Sequence, residues 1–217
     1  MKGTAVLNSG ALFAIAKRAS ERAKEEDGGI FGPVESALVA LLFSAATLEG
    51  YISEVAFLSG AVDTLAAHQS LTSLSSLVDE IEDSRGSVRL KYLMARAALH
   101  GRPFDKGAKP YQDFDLLFRL RDAIVHLKPD TLTGSPQKLL EQLRSRGLVD
   151  LPQDGAAVWM LTIATPEVAR WACETVGNTI RALFDGVDVP EDLASFNRKF
   201  TDDFPECGPA TDPVGAA

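Results

Sequence analysis

The chain has 217 residues, 46% of them hydrophobic and 24% charged, enough apolar material to close a substantial core. Its 17 Gly and 11 Pro are scattered without a period, which excludes collagen-like and low-complexity classes, and the globular apolar fraction excludes wholesale disorder. The net charge of −8 argues against a surface that binds nucleic acid all over, yet Arg85 to Lys128 holds ten Lys/Arg against four Asp. That segment is +6, which leaves −14 elsewhere.

Helical periodicity dominates, so an all-α chain is expected. A first helix is expected over about Ala5 to Lys24, ending in a charged run before Asp27-Gly28-Gly29. A second follows Gly32-Pro33, with Glu35 complementing its dipole, and continues past Glu49 toward Leu58. Its most apolar part, Ser36 to Leu48, is 13 residues, short of the roughly 20 that cross a bilayer, and reads as a buried core helix.

Ser70 or Thr72 is placed to cap a third helix carrying Leu74, Leu77 and Ile81. The pattern breaks near Gly86 and resumes from Val88 to Leu99, until His100-Gly101. A basic loop, Arg102 to Pro110, leads to a helix from Tyr111 to Lys128 that Pro129 stops. Ser135-Pro136 opens a short helix through Arg146, and Ala157 to Ile163 is the one strand-like scrap. Thr165-Pro166-Glu167 combines an N-cap, a first-position Pro and an acidic first turn, and starts a helix to about Phe184 with Val168, Ala172, Val176, Ile180 and Leu183 at core spacing. No repeat or linker divides the chain. One domain over 1–204 is expected, with a flexible tail over 205–217.

Two cysteines, Cys173 and Cys207, allow at most one disulfide, and the N-terminus lacks the apolar core and cleavage site of a signal peptide, so a reducing cytoplasm is the expected location. There is no Gly-rich phosphate loop, no paired Cys-x-x-Cys and no His-Glu-x-x-His, and with three His no metal centre and no cofactor are expected.

What remains is Arg121-Asp122-Ala123-Ile124-Val125-His126, a cation, a carboxylate and an imidazole within two turns. Asp122 and His126, four apart, sit one above the other, so the carboxylate is placed to accept from the ring. Arg121 points about 140° away from His126. A two-fold dimer meeting at this face brings two Arg and two His into one cleft. Taken alone, an Arg and a His on one helix are most often packing or capping residues. His68 and His100, beside expected helix ends, read as surface or capping residues; Tyr51, Phe104 and Tyr111 are able to stack a base, though core packing is the commoner use.

The run YQDFDLLFRLRDAIVHLKP has four residues between Arg and His, a polar residue directly after the Arg, and a terminating Pro. It resembles the signature helix of the HEPN superfamily, and the earlier LLFSAATLEGYISEV, with an acidic residue at Glu49, is similar to a helix common in that family. The resemblance spans roughly Ser36 to Pro129. It implies an α-helical bundle, often a homodimer, and in many members a metal-independent endoribonuclease in toxin–antitoxin pairs, phage defence or RNA processing. On it, Arg121 and His126 are the catalytic candidates, Asp122 stands where Asn is frequent, and Glu49 supports the site, most simply by pairing with Arg121 or another Arg. RNA and an antitoxin protein are the implied partners, with no membrane. The competing reading is a non-catalytic dimerisation or nucleotide-binding module of the same fold.

Overall fold

The computed structural model describes residues 7–26, 34–61, 65, 68–126, 135–150 and 159–203. Among these the chain is all helical: α1 Ser9–Glu25, α2 Val34–Ala61, α3 Gln69–Asp83, α4 Val88–His100, α5 Tyr111–Val125, α6 Ser135–Ser145, α7 Trp159–Ile163, α8 Pro166–Phe184 and α9 Glu191–Thr201. Cys207 and the expected tail lie outside the described residues.

The 28-residue helix α2 sets the arrangement. Ala40, Leu41, Ala45, Leu48, Tyr51, Ile52 and Val55 are all buried, so the apolar surface wraps most of its circumference and neighbours must enclose it. α1, α3 and α8 do so. By length and composition α2 is also able to cross a membrane, and 56% of its most apolar window is buried inside the protein. It is longer than the 13-residue apolar core because Ser53 and Glu54, which dilute the apolar run, sit within the helix and are bonded to neighbouring helices. On one side Ala37 and Ala40 meet Ala19, Ala23, Ala164 and Ala169, small residues that let helices approach closely.

Helix starts follow local chemistry. The Ser87 hydroxyl accepts from Leu90 N at 3.2 Å to begin α4, and Thr165 accepts from Val168 N at 3.1 Å to begin α8, with Pro166 in its first turn. α4 ends on Gly101, whose φ of +70° suits glycine. α3 begins at Gln69 with His68 at the N-cap, so the expected caps Ser70 and Thr72 lie inside the helix; the Thr72 and Ser73 hydroxyls donate back to the His68 and Gln69 carbonyls. Within the strand-like scrap, 159–163 is helical, two residues before α8, and no partner strand occurs among the described residues.

α1 is capped from another helix. Asn8 makes no side-chain cap; the Glu54 carboxylate of α2 accepts from Asn8 N, from Ser9 N at 2.9 Å and from the Ser9 hydroxyl. α9 covers the other end of the core. Tyr51 stacks on Phe196 with centroids 5.6 Å apart, meets Phe200 edge-on, and donates its hydroxyl to Asn197 Oδ1 at 2.6 Å. Burial pushes the Tyr51 and Tyr92 phenols well above their ordinary value, with Tyr92 adding to the Tyr51 shift.

Glu54→Ala leaves the first N–H groups of α1 unsatisfied and is expected to lower stability by about 1 kcal/mol, measured by urea unfolding, with faster amide exchange confined to the start of α1. At the α3–α4 corner, hydrogen bonds from Lys91 and then Ser53 hold the Glu82 carboxyl below its usual range. A depressed carboxyl stabilises above its unfolded value and loses that contribution as pH falls through the folded one. The melting-temperature gap between wild type and Glu82→Gln is therefore expected at pH 7 and closes on acidification below about 4.

Candidate functional site

α5 buries Tyr111, Phe114, Leu117, Phe118, Leu120 and Ile124 and leaves Asp115, Arg119, Asp122 and the helix end toward solvent. The inward face joins an aromatic row, with Tyr92–Phe114 at 4.7 Å and Phe114–Phe118 at 4.9 Å between centroids. The Tyr92 hydroxyl donates to the Leu48 carbonyl at 2.9 Å, so α4 and α5 are registered against α2.

On the outward face the charges interlock. Arg89 of α4 reaches across to Asp115, Nε to Oδ1 at 2.7 Å, and its Nη1 lies 3.5 Å from Asp122 Oδ2. Arg121 lies 3.2 Å from Asp122 Oδ1 and extends to α2, where its Nη2 is 3.3 Å from Glu49 Oε2. Both guanidinium groups also rest against the buried Phe118 ring, at 5.7 Å for Arg89 and 5.3 Å for Arg121. The result is a chain of alternating charge, Asp115–Arg89–Asp122–Arg121–Glu49, tying three helices together.

Glu49, Arg121 and Asp122 are thus brought together, with Glu49 paired to Arg121. His126 is not drawn into the cluster. The helix ends at Val125 rather than Lys128, and His126 is its C-cap, with φ −108° and ψ 46° and its backbone N–H donating to the Asp122 carbonyl at 2.9 Å. Residues 127–128 of the expected helix lie outside the described residues. The ring–carboxylate bond anticipated between His126 and Asp122 is not made; the carboxylate is engaged by two arginines that offer full charge. The His126 ring is exposed, beside Val125, which is 56% exposed.

The other candidates settle into structural places. His100 donates from Nε2 to the Leu183 carbonyl at 2.9 Å, tying the end of α4 to α8. Tyr51, Phe104 and Tyr111 are buried among other rings rather than open to a base. Cys173 is a buried free thiol, pushed up to about 11 by burial, and so a poor nucleophile. No group of three or more His, Cys, Asp or Glu suited to a metal ion occurs among the described residues. The sequence pattern does not single out Arg89 or Asp115. Asp115, Arg119 and Asp122 at helical spacing hinted at a charged stripe, but nothing local shows that a residue of α4 closes it.

Comparison of the chain with models of known protein families, with curated proteins and with solved structures finds no match.

A double-mutant cycle on Arg89→Met and Asp115→Asn is expected to give a coupling of about 0.5 kcal/mol by urea denaturation. Both side chains are partly solvated, so the coupling shrinks when salt is raised to about 1 M. A coupling indifferent to salt would contradict this account of the cluster.

Proposed function

We propose that the chain is a metal-independent endoribonuclease of HEPN type, acting as a homodimer in which Arg121 and His126 of both subunits line one cleft. The observation that carries the reading is the state of the α5 end. Arg121 is placed at the surface by Glu49, Asp122 and the Phe118 ring, while one turn on the His126 ring is exposed at the helix terminus. The RNA reaction needs those two kinds of group: a fixed cation for phosphorane charge and an imidazole able to exchange protons with substrate.

In the proposed step one His126 takes the proton of a ribose 2′-hydroxyl as its oxygen bonds to the adjacent phosphorus. The phosphorus–O5′ bond breaks, and the imidazolium of the other subunit's His126 protonates the leaving O5′. The products are a 2′,3′-cyclic phosphate and a 5′-hydroxyl end. Arg121 offsets the charge on the non-bridging oxygens. Asp122 is a positioning residue in this scheme, since its carboxylate is occupied by Arg89 and Arg121. The exposed side chains of Leu90, next to Arg89, and Val125, next to His126, offer apolar surface at the proposed dimer face.

A second reading, a non-catalytic dimerisation or binding module, draws on a different fact: Glu49 and Asp122 already offset the charge of Arg121, so a phosphate must compete with two carboxylates.

Purified protein is expected to cleave single-stranded RNA in excess chelator, leaving 2′,3′-cyclic phosphate ends, and to leave DNA intact. Arg121→Ala and His126→Ala each lower the rate by at least about a hundredfold while retaining the helical circular dichroism spectrum and dimeric mass. Glu49→Gln frees Arg121 of one competitor and keeps or raises activity. Cleavage that survives His126→Ala, or a wild-type protein that is monomeric at micromolar concentration, sinks the nuclease reading. A stable dimer without cleavage supports the module.

A further inference from the structure

The Arg102 to Pro110 connector, which the nuclease reading does not use, lines a cleft of about 340 Å³ walled by Arg96, Arg102, Lys109, Asp105 and Phe104. Its charge is unlike that of the α5 face. There Arg89, Arg119 and Arg121 all have carboxylate partners. Here Arg96 and Arg102 form no ion pair among the described residues, and Lys109 has only Asp113 at 3.6 Å, a carboxylate whose nearer partner is Arg146 at 2.9 Å.

Arg96 is the half-buried cation of the cleft lining. Its guanidinium lies over the Phe104 ring at 5.2 Å, which fixes its plane, and its Nη1 is buried with no hydrogen-bond partner. A charged donor removed from water without an acceptor is costly, and an anion seated against this guanidinium offsets that cost. Burial is the largest influence on this guanidinium and lowers its hold on the proton; Asp185 opposes that and Arg102 reinforces it. The cleft is braced without a ligand: Asp105 Oδ1 accepts from Gly107 N at 2.8 Å, and Gln112 donates to the Gly107 carbonyl at 2.7 Å.

We propose that this cleft binds a phosphomonoester dianion, held by Arg96 with Arg102 and Lys109 closing over it. Three cations against Asp105 leave two positive charges in the lining; a carboxylate offsets one of them, while a phosphomonoester carries about −1.5 to −2 at pH 7. Guanidinium pairs also fit phosphate oxygens by bidentate donation. The site is separate from Arg121 and His126 and stands whether or not the chain cleaves RNA. The phosphate comes either from a small ester or from the 5′ end of an RNA strand.

Calorimetric titration of the full chain with inorganic phosphate tests it. Two matched 2′-O-methyl oligoribonucleotides, which cannot be cleaved through the 2′-oxygen, are then compared, one with a 5′-phosphate and one with a 5′-hydroxyl. Saturable binding of one phosphate per chain is expected, weakened at least about tenfold in Arg102→Ala/Lys109→Ala and retained in His126→Ala. Both altered side chains are exposed, and Arg102→Ala alone provides the same comparison should the pair disturb the circular dichroism spectrum. Tighter binding of the 5′-phosphorylated oligonucleotide assigns the site to an RNA end; equal binding of the two oligonucleotides, with phosphate still bound, assigns it to a small ester. No saturable binding at millimolar phosphate, or an unchanged affinity in the folded variants, overturns the proposal.

Discussion

The enclosure of α2 is the constraint on which the rest of the structure depends. A helix apolar on most sides is stable in water only when other helices cover it, and roughly 25 cal/mol per Å² of apolar surface favours that cover. Its middle also supplies the polar links that orient the cover. Between residues 48 and 54 the Leu48 carbonyl receives Tyr92 of α4, Glu49 pairs with Arg121 of α5, Tyr51 donates to Asn197 of α9, Ser53 meets Glu82 of α3, and Glu54 caps α1. Each link is directional where apolar packing is not, so these five residues set angle and register for five surrounding helices.

The charged face of α5 follows from that enclosure. Because the aromatic side of α5 is committed to the core, Arg121 leaves the helix near its buried boundary and finds Glu49 on α2 and the Phe118 ring before it finds solvent. Asp122, half a turn away from the core, is shared by two arginines. Electrostatics here positions side chains more than it stabilises the chain, since partly solvated pairs contribute a few tenths of a kcal/mol each. A rigid, partly neutralised arginine costs little reorganisation when charge develops beside it, but it must be approached by a ligand able to compete with carboxylates.

Much of this architecture was legible in sequence because it is local. The Thr165-Pro166-Glu167 start of α8, the resumption of helix at Val88 and the buried character of α2 all follow from propensity and periodicity. α9 was missed: Glu191 to Thr201 is short and polar on average, and its significance lies in Phe196 and Phe200 meeting Tyr51 about 145 residues earlier. The same limit applies to the site. The Arg121/His126 spacing and a Glu49 ion pair could be read along the chain, whereas the part played by Arg89, the engagement of the Asp122 carboxylate by two arginines instead of His126, and the grouping of Arg96 with Arg102 and Lys109 beside Phe104 depend on how helices cross.

The burial of the tyrosines has an optical consequence. The chain has three, and all are held above the ordinary phenol value, chiefly by exclusion from water. Their neutral form stabilises the native state fully below the unfolded value of about 10, and that contribution is lost as pH climbs toward the folded values. The ultraviolet band of phenolate should therefore emerge together with the loss of structure rather than ahead of it. With Tyr51 of α2 covered by α9 and Tyr92 of α4 bonded to the Leu48 carbonyl of α2, the protein carries its own chromophores for the opening of two contacts of the α2 core, and alkaline titration reads them without any label.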